Sequence, residues 1–240
     1  MMEALARDLD ELIAVKSRDL STAYDFLQIA EACREAGEDD RALEWAERGV
    51  SSFGQRCDGR LRDFLAEEYQ RRDRHGEALD LAWAVLASRP CLDTYKRLRE
   101  RAERAGQWPS GRQRALDALR GAGHDSSTLV EVLLWEDEPD AAWSEARRAG
   151  CTPALWLRLA DARADTHPLD AAAVYRDRLE PTIALTNNQA YEDAVRLLGR
   201  LRDCLAAAGR PGEFAQVVAE IRATHKRKRN LMALLQRAGW

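Results

Sequence analysis

The chain has 240 residues, a formal net charge of −4, 45% hydrophobic residues and 32% charged residues. An acidic balance of this kind argues against a polycation that binds phosphate along its whole length. No apolar run reaches the ~18 residues that a membrane span requires, and the N-terminal stretch lacks the apolar core of a signal peptide. Five well-separated cysteines without a Cys-x-x-Cys pair favour free thiols. We therefore predict a cytoplasmic protein with no membrane partner.

The first predicted helix runs from Met2 to Val15. Its apolar residues recur at steps of four, three and one, so they share one face of a helix with about 3.6 residues per turn. These residues are Leu5, Leu9, Leu12 and Ile13. The apolar face predicts a partner helix, which we expect in the unit that follows.

The stretch Phe26–Gly49 predicts a helix, a turn and a second helix. Gly37 marks the turn, because a left-handed residue at a helix end costs least when it has no Cβ. Asp39 or Asp40 is expected to cap the second helix. Small residues let the two backbones approach while aromatic residues fill the flanks: Ala30, Ala42, Ala46 and Gly49 beside Phe26 and Trp45.

The same helix–turn–helix unit recurs along the chain. The residues just inside each second helix are Ala42, Ala78, Gly111, Ala141, Ala171 and Phe214, which lie 30 to 43 positions apart. Four prolines fall at or near a helix start, where a missing N–H is no loss: Pro109, Pro139, Pro168 and Pro211. Such repeats indicate a solenoid, in which each helix pair covers its neighbour. We predict one all-α domain over 1–240, a right-handed α-solenoid of about six antiparallel helix pairs, ending in one or two helices over 210–240.

The Phe26–Gly49 unit resembles a tetratricopeptide repeat. Gly37 and Ala42 fall where that consensus has Gly and Ala, and Pro90 falls where the second unit should end. Arg62 and Asp73 depart from the pattern. The resemblance implies a fold of stacked helix pairs that bind a protein or peptide.

Four segments resemble the C-terminal helical region of bacterial SWIM zinc-finger proteins. They are Leu61–Tyr69, Ala105–Pro109, Thr186–Glu192 and His225–Asn230. That family's zinc finger, Cys-x-Cys…Cys-x-His, is not found in this sequence, so no residue inherits a metal-binding role. The Met1-Met2 start is expected of a chain cut after the finger. The resemblance implies a scaffold or partner-binding role, with nucleic-acid transactions as its context.

The basic run His225–Arg229 is unusual in an acidic chain. If the last helix continued from Phe214, His225 and Lys228 would fall on its apolar stripe. We therefore predict that the helix breaks there, or that one of the two meets a carboxylate or the amides of Asn187 and Asn188. Three interpretations of the run remain open: a solvated face or cationic helix end, contact with phosphate or an acidic partner, and a nuclear-import address.

Thr186-Asn187-Asn188 is predicted first as a helix N-cap, with Glu192 within reach of the first turn. The alternative is a polar groove that presents amide and phenol groups to a peptide. The candidate partner-binding residues are therefore His225, Lys226, Arg227, Lys228, Arg229, Asn230, Asn187, Asn188 and Tyr191.

Five tryptophans lie on apolar helical stripes and are predicted to pack in the core, whereas Trp108, in a turn, is expected to be half exposed. The five are Trp45, Trp83, Trp135, Trp143 and Trp156.

No known catalytic motif occurs, and the four histidines fall in different units. They are His75, His124, His167 and His225. We predict no catalytic, cofactor or metal site and a non-catalytic scaffold that binds a protein or peptide on its concave face. The alternatives are a nucleic-acid-associated module that contacts phosphate through residues 225–229, and a purely structural extension of a SWIM zinc-finger protein.

Overall fold

The computed structural model describes residues 2–122 and 125–240, with side chains from Leu9 onward except that of Gln55. His124 and the side chain of Leu5 lie outside the described residues. Within those ranges the chain forms helices and no strand, which confirms the all-α prediction. The helices are α1 (Met2–Lys16), α2 (Ala23–Glu35), α3 (Asp39–Phe53), α4 (Gly59–Arg71), α5 (His75–Ser88), α6 (Leu92–Arg104), α7 (Trp108–Gly121), α8 (Ser127–Trp135), α9 (Pro139–Ala149), α10 (Pro153–Arg163), α11 (Pro168–Ala184), α12 (Asn188–Ala207), α13 (Pro211–Thr224) and α14 (Arg229–Arg237), with a short 3₁₀ turn at Gly54–Arg56.

The helices fall into two compact units, residues 1–122 and 123–240. In the first unit α2/α3, α4/α5 and α6/α7 form antiparallel pairs, and α2 also contacts α4. In the second unit α8/α9, α10/α11 and α12/α13 form pairs, α8 contacts α10, and α14 packs on α12. Packing of the first helix of one pair on the first helix of the next is the arrangement of tetratricopeptide-like repeats. The single domain over 1–240 stays a prediction.

Small residues bring α2 and α3 together as expected. Ala30, Ala42 and Ala46 are fully buried, and Phe26 packs on Trp45 with ring centroids 6.0 Å apart. A Cβ added to Gly49 would lie 2.6 Å from Phe26 Cβ and 2.6 Å from a methyl group of Leu61. No side chain larger than hydrogen fits at this crossing of α2, α3 and α4.

Five of the six turns between paired helices contain a left-handed residue, and the α10–α11 turn, residues 164–167, contains none. Gly37 has a φ of 80°, whereas Asp73 and Asp137 fill the same role with φ values of 57° and 60°. Aspartate tolerates this region better than most residues because its short side chain bonds locally. The departure of Asp73 from the repeat consensus is thus a substitution that the turn accepts.

The predicted cap of α3 is wrong. The cap position is Glu38, which makes no side-chain cap bond, and its N–H donates to Cys33 O at 2.9 Å. This backbone bond closes the turn one residue earlier than the sequence suggested. Asp39 instead pairs with Arg71 of α4 at 3.3 Å.

Prolines start helices as predicted: Pro139, Pro168 and Pro211 are the first residues of α9, α11 and α13, and Pro109 is the second residue of α7. Their fixed φ suits helix entry and their missing N–H has no partner to lose there. Among the described residues, no helix combines the length and apolarity needed to cross a bilayer.

Three expectations about burial are wrong. Leu12 is 37% exposed while Leu9 and Ile13 are buried, because it lies about 100° round the helix from Ile13, at the edge of the stripe. Trp108 is buried, packed edge-on against Tyr95 with centroids 5.6 Å apart. Trp135, the last residue of α8, is 39% exposed. The other four predicted core tryptophans are partly buried.

Candidate binding surfaces

The basic run interrupts the last predicted helix. Helix α13 ends at Thr224, residues 225–228 form a turn, and α14 begins at Arg229. His225 Nε2 lies 2.8 Å from Glu180 Oε1 of α11, and Lys228 Nζ donates to Ile183 O at 2.9 Å. The predicted helix break and the predicted contact with a carboxylate are both confirmed.

Lys228 occupies the C-terminal end of α11. The last four carbonyls of a helix have no partner within the helix, and the helix dipole favours a cation at that end. The turn that follows is strained, because Thr186 is β-branched and has a φ of 54°. Lys228 Nζ also lies 5.6 Å from the ring centroid of Tyr191. The ammonium group therefore ties α14 to the α11–α12 turn.

The predicted amides are used within the chain. Asn187 caps α12, its side-chain oxygen accepting from Ala190 N at 2.8 Å, which confirms the N-cap. Asn230 Nδ2 donates to Asn188 Oδ1 at 2.8 Å. Tyr191 is only 7% exposed. We call His225, Lys228, Asn230, Asn188 and Tyr191, which the structure brings together, the α11–α12 clasp. A role for these residues in binding a partner stays a prediction.

Three cations of the basic run are left over. Lys226, Arg227 and Arg229 are exposed, and they have no ion-pair or hydrogen-bond partner from their side chains within residues 2–122 and 125–240. Leu231 and Leu235 of α14 are fully buried, so the helix is anchored while these cations face solvent. They form the basic patch that phosphate or an acidic partner could reach.

A groove that the sequence did not indicate lies in the second unit, between α11 and α13 above the C-terminal half of α12. Two depressions of about 220 and 550 Å³ share Arg176, Asp177 and Val217, so they form one continuous feature. We call it the α11–α13 groove. Its apolar lining is Leu169, Ala172, Ala173, Leu179, Leu201, Leu205, Val217 and Ile221, and its charged rim is Arg176, Asp177, Glu180, Arg210, Glu213 and Glu220.

Most rim charges of the groove are paired. Arg176 Nη2 lies 3.3 Å from Glu220 Oε2 and crosses from α11 to α13. Arg210 pairs with Glu213 on one side, and Glu180 pairs with His225 of the clasp. Asp177 has no ion-pair or hydrogen-bond partner for its side chain in the described part of the chain. No local motif could have revealed the groove, because its lining comes from three separate helices.

The first helices of the first unit carry a ladder of ion pairs. Asp63 of α4 pairs with Arg97 of α6, 34 residues away. Glu68, whose side chain is fully buried, lies 3.0 Å from Arg71 and 2.6 Å from Arg72. The Asp63 pair therefore links α4 to α6, whereas the two Glu68 pairs lie within α4 and the residue that follows it. Partner binding on a concave face stays a prediction.

The cysteines behave as packing residues. All five are free, and burial raises the pKa of the Cys33 and Cys204 thiols and that of Cys151 to about 11. At Cys91 burial opposes ionisation, but hydrogen bonds with Thr94 and the backbone lower the thiol pKa below its usual value. The described residues contain no group of three or more His, Cys, Asp or Glu side chains arranged to hold a metal ion.

Helix pairs stacked first helix on first helix define this chain as a helical-repeat protein of the tetratricopeptide-like, all-α class. No model of a known protein family and no curated protein matches the sequence. Among solved structures, the MamA protein is 12% identical with a TM-score of 0.34, covering 85% of this chain and 94% of that chain. YrrB, described as a TPR protein with an unusual peptide-binding site, is 14% identical with a TM-score of 0.35, covering 82% and 91%. The APC/C hetero-tetramer Cut9–Hcn1 is 14% identical with a TM-score of 0.36, covering 99% and 46%.

Proposed function

We propose that this chain is a non-catalytic helical-repeat module that binds a protein or peptide segment. The observation that carries the proposal is the α11–α13 groove, which joins an apolar floor to a charged rim, as ligand sites commonly do. Leu169, at 45% exposed, and the exposed Ala173 line its mouth. Charged side chains are largely paired both on the first helices of the first unit and at the groove rim, so the exposed apolar mouth is what favours the groove.

A variant that fills the groove tests this function. Ala173→Trp would place an indole in the mouth of the groove, whereas Ala215→Trp adds the same group at an exposed position of α13 that does not line it. Proteins captured from an extract of the source cells are compared for the wild type and both variants, after circular dichroism shows equal helix content. We expect the indole at position 173 to remove a partner that the control retains. Identical partners for all three proteins would contradict the proposal.

A second function is favoured by the three unpaired cations Lys226, Arg227 and Arg229. As a phosphate-contacting module, the chain would bind nucleic acid with an affinity that falls steeply as salt rises. In a plot of log binding constant against log salt concentration, each phosphate contacted adds about one unit to the negative slope. Changing these three residues to Gln leaves His225 and Lys228 in their contacts. We expect this change to flatten the salt dependence by up to about three units for DNA or RNA oligonucleotides. An unchanged slope would exclude this function.

We further propose, on the sequence resemblance alone, that the chain corresponds to the helical region of a SWIM zinc-finger protein. The test is the reading frame upstream of Met1. A Cys-x-Cys…Cys-x-His finger encoded in frame would support the proposal, and an unrelated upstream sequence would contradict it. If neither the groove variant nor the cation variant changes any partner, the chain is a structural extension of such a protein.

A further inference from the structure

We propose that the α11–α13 groove takes a basic amphipathic helix, whose lysines or arginines meet the groove's acidic rim while its apolar side chains lie on the floor. The inference rests on the proposed function, since it names the chemistry of the partner for the same groove. It depends on the balance of charge at the rim, on the spacing of the floor residues and on one ion pair that crosses the groove.

The rim has an excess of negative charge. Four carboxylates and two guanidinium groups line it, and both arginines already face a carboxylate. Asp177 remains unpaired within the described residues and lines three adjoining depressions, on both sides of α11. A cation on a partner would gain attraction here, whereas an anion would meet repulsion.

The floor suits a helix. The groove follows α11 from Leu169 to Glu180, a length of about 17 Å at 1.5 Å per residue. Leu201 and Leu205 of α12 are four positions apart, as are Val217 and Ile221 of α13, so apolar contacts repeat once per helical turn. A partner helix of about three turns with anchors at positions i and i+4 matches this spacing.

Charge carries more of the affinity than apolar burial. Leu201 and Leu205 retain only 1% and 5% exposure, so a ligand removes little further apolar surface from water there. The apolar gain comes mainly from Leu169 and Ala173 at the mouth. The interaction should therefore be weak at high salt, because exposed charges are screened within about a Debye length.

The Arg176–Glu220 pair occupies the place of a partner's cation. Both side chains are more than half exposed, at 54% and 64%, and pairs of this kind contribute little stability. Removing Arg176 would free Glu220 for the partner. Arg176→Gln is therefore expected to strengthen the binding of a basic helix, whereas Asp177→Asn is expected to weaken it.

Fluorescence anisotropy of labelled peptides on the full chain tests this inference. The probe is a 14-residue helical peptide of leucine and lysine, with leucines at positions i, i+3, i+4 and i+7. Its counterparts replace lysine by glutamate, or scramble the order so that the apolar face is lost. We expect the lysine peptide to bind at low salt, about three- to tenfold more weakly to Asp177→Asn and about three- to tenfold more tightly to Arg176→Gln. Glu192→Gln, an exposed acid of α12 outside the groove, is the matched control and should leave the affinity unchanged.

The outcomes separate this inference from the proposed function. If the glutamate peptide bound as tightly as the lysine peptide, or if Asp177→Asn left the affinity for the lysine peptide unchanged, the inference of a basic partner would be wrong. Equal binding of the scrambled peptide would overturn a helical one. If Ala173→Trp still removes a captured partner, the proposed function survives either result. If Ala173→Trp changes neither peptide binding nor capture, both proposals fail.

Discussion

The crossing of α2, α3 and α4 at Gly49 offers a sharp test of the packing. In Gly49→Ala the new methyl group would lie 2.6 Å from Phe26 Cβ and from Leu61 Cδ2, well inside the 3.5–4.0 Å or so at which carbon atoms attract. Phe26 Cβ cannot move by a rotamer change, so the helices must separate. Overpacking of this kind costs about 1–3 kcal/mol, and replacing glycine in a helix interior returns about 0.5–1 kcal/mol. The middle of these ranges gives an expected net loss of about 1 kcal/mol.

Urea unfolding followed by circular dichroism measures this loss. The matched control is Gly111→Ala in α7, also in the first unit, where the added Cβ would lie 3.5 Å from Trp83 in ordinary contact. We expect the control to be stabilised by up to about 1 kcal/mol, because it gains helix propensity without a clash. The same substitution should thus lower the free energy of unfolding at position 49 and raise it at position 111. A Gly49→Ala chain as stable as the wild type would refute the packing argument.

Three further outcomes are expected. Lys228→Met removes a charged hydrogen bond to the end of α11 and should cost about 1 kcal/mol in urea unfolding, whereas Lys226→Met, exposed and unpaired in the described structure, should change stability by less than about 0.5 kcal/mol. Equal effects would contradict the assignment of Lys228 to the fold and of Lys226 to the solvent-facing patch. Asn187→Ala removes the N-cap of α12 and should cost about 1 kcal/mol by the same assay, and no loss would mean that the cap is replaced. Burial and a hydrogen bond to Glu47 raise the pKa of Tyr69 to about 12 from the usual 10.0, so stability from this group is complete below pH 10 and is lost as pH rises towards 12. Burial and a hydrogen bond to Asp161 also raise the pKa of Tyr175, so in a tyrosinate absorbance titration Tyr69→Phe should lose one tyrosine's share of the late change and keep the other. An unchanged titration would contradict the shift.

The contacts of the basic run were harder to predict than the helices, because a contact depends on the neighbour as well as on the residue. The stripe that placed His225 and Lys228 on an apolar face indicated that the helix must break or that the two must find partners. It could not name Glu180 or the carbonyl of Ile183, which belong to a helix about 45 residues earlier. It also could not divide the run into cations that hold the fold and cations that face solvent.

The sequence by itself determined the helices, their pairing and the starts given by proline, because these depend on a period of 3.6 residues and on backbone preferences that act locally. It also limited Gly49 and Ala42 to small side chains, since two helices must touch there. Only the tertiary structure decided that Asp73 would adopt the left-handed conformation that glycine adopts in other turns and that Trp108 would be buried. It alone assembled the α11–α13 groove, because packing three helices together sets which of their faces remain open. That choice depends on distances between residues far apart in the chain, which no local pattern records.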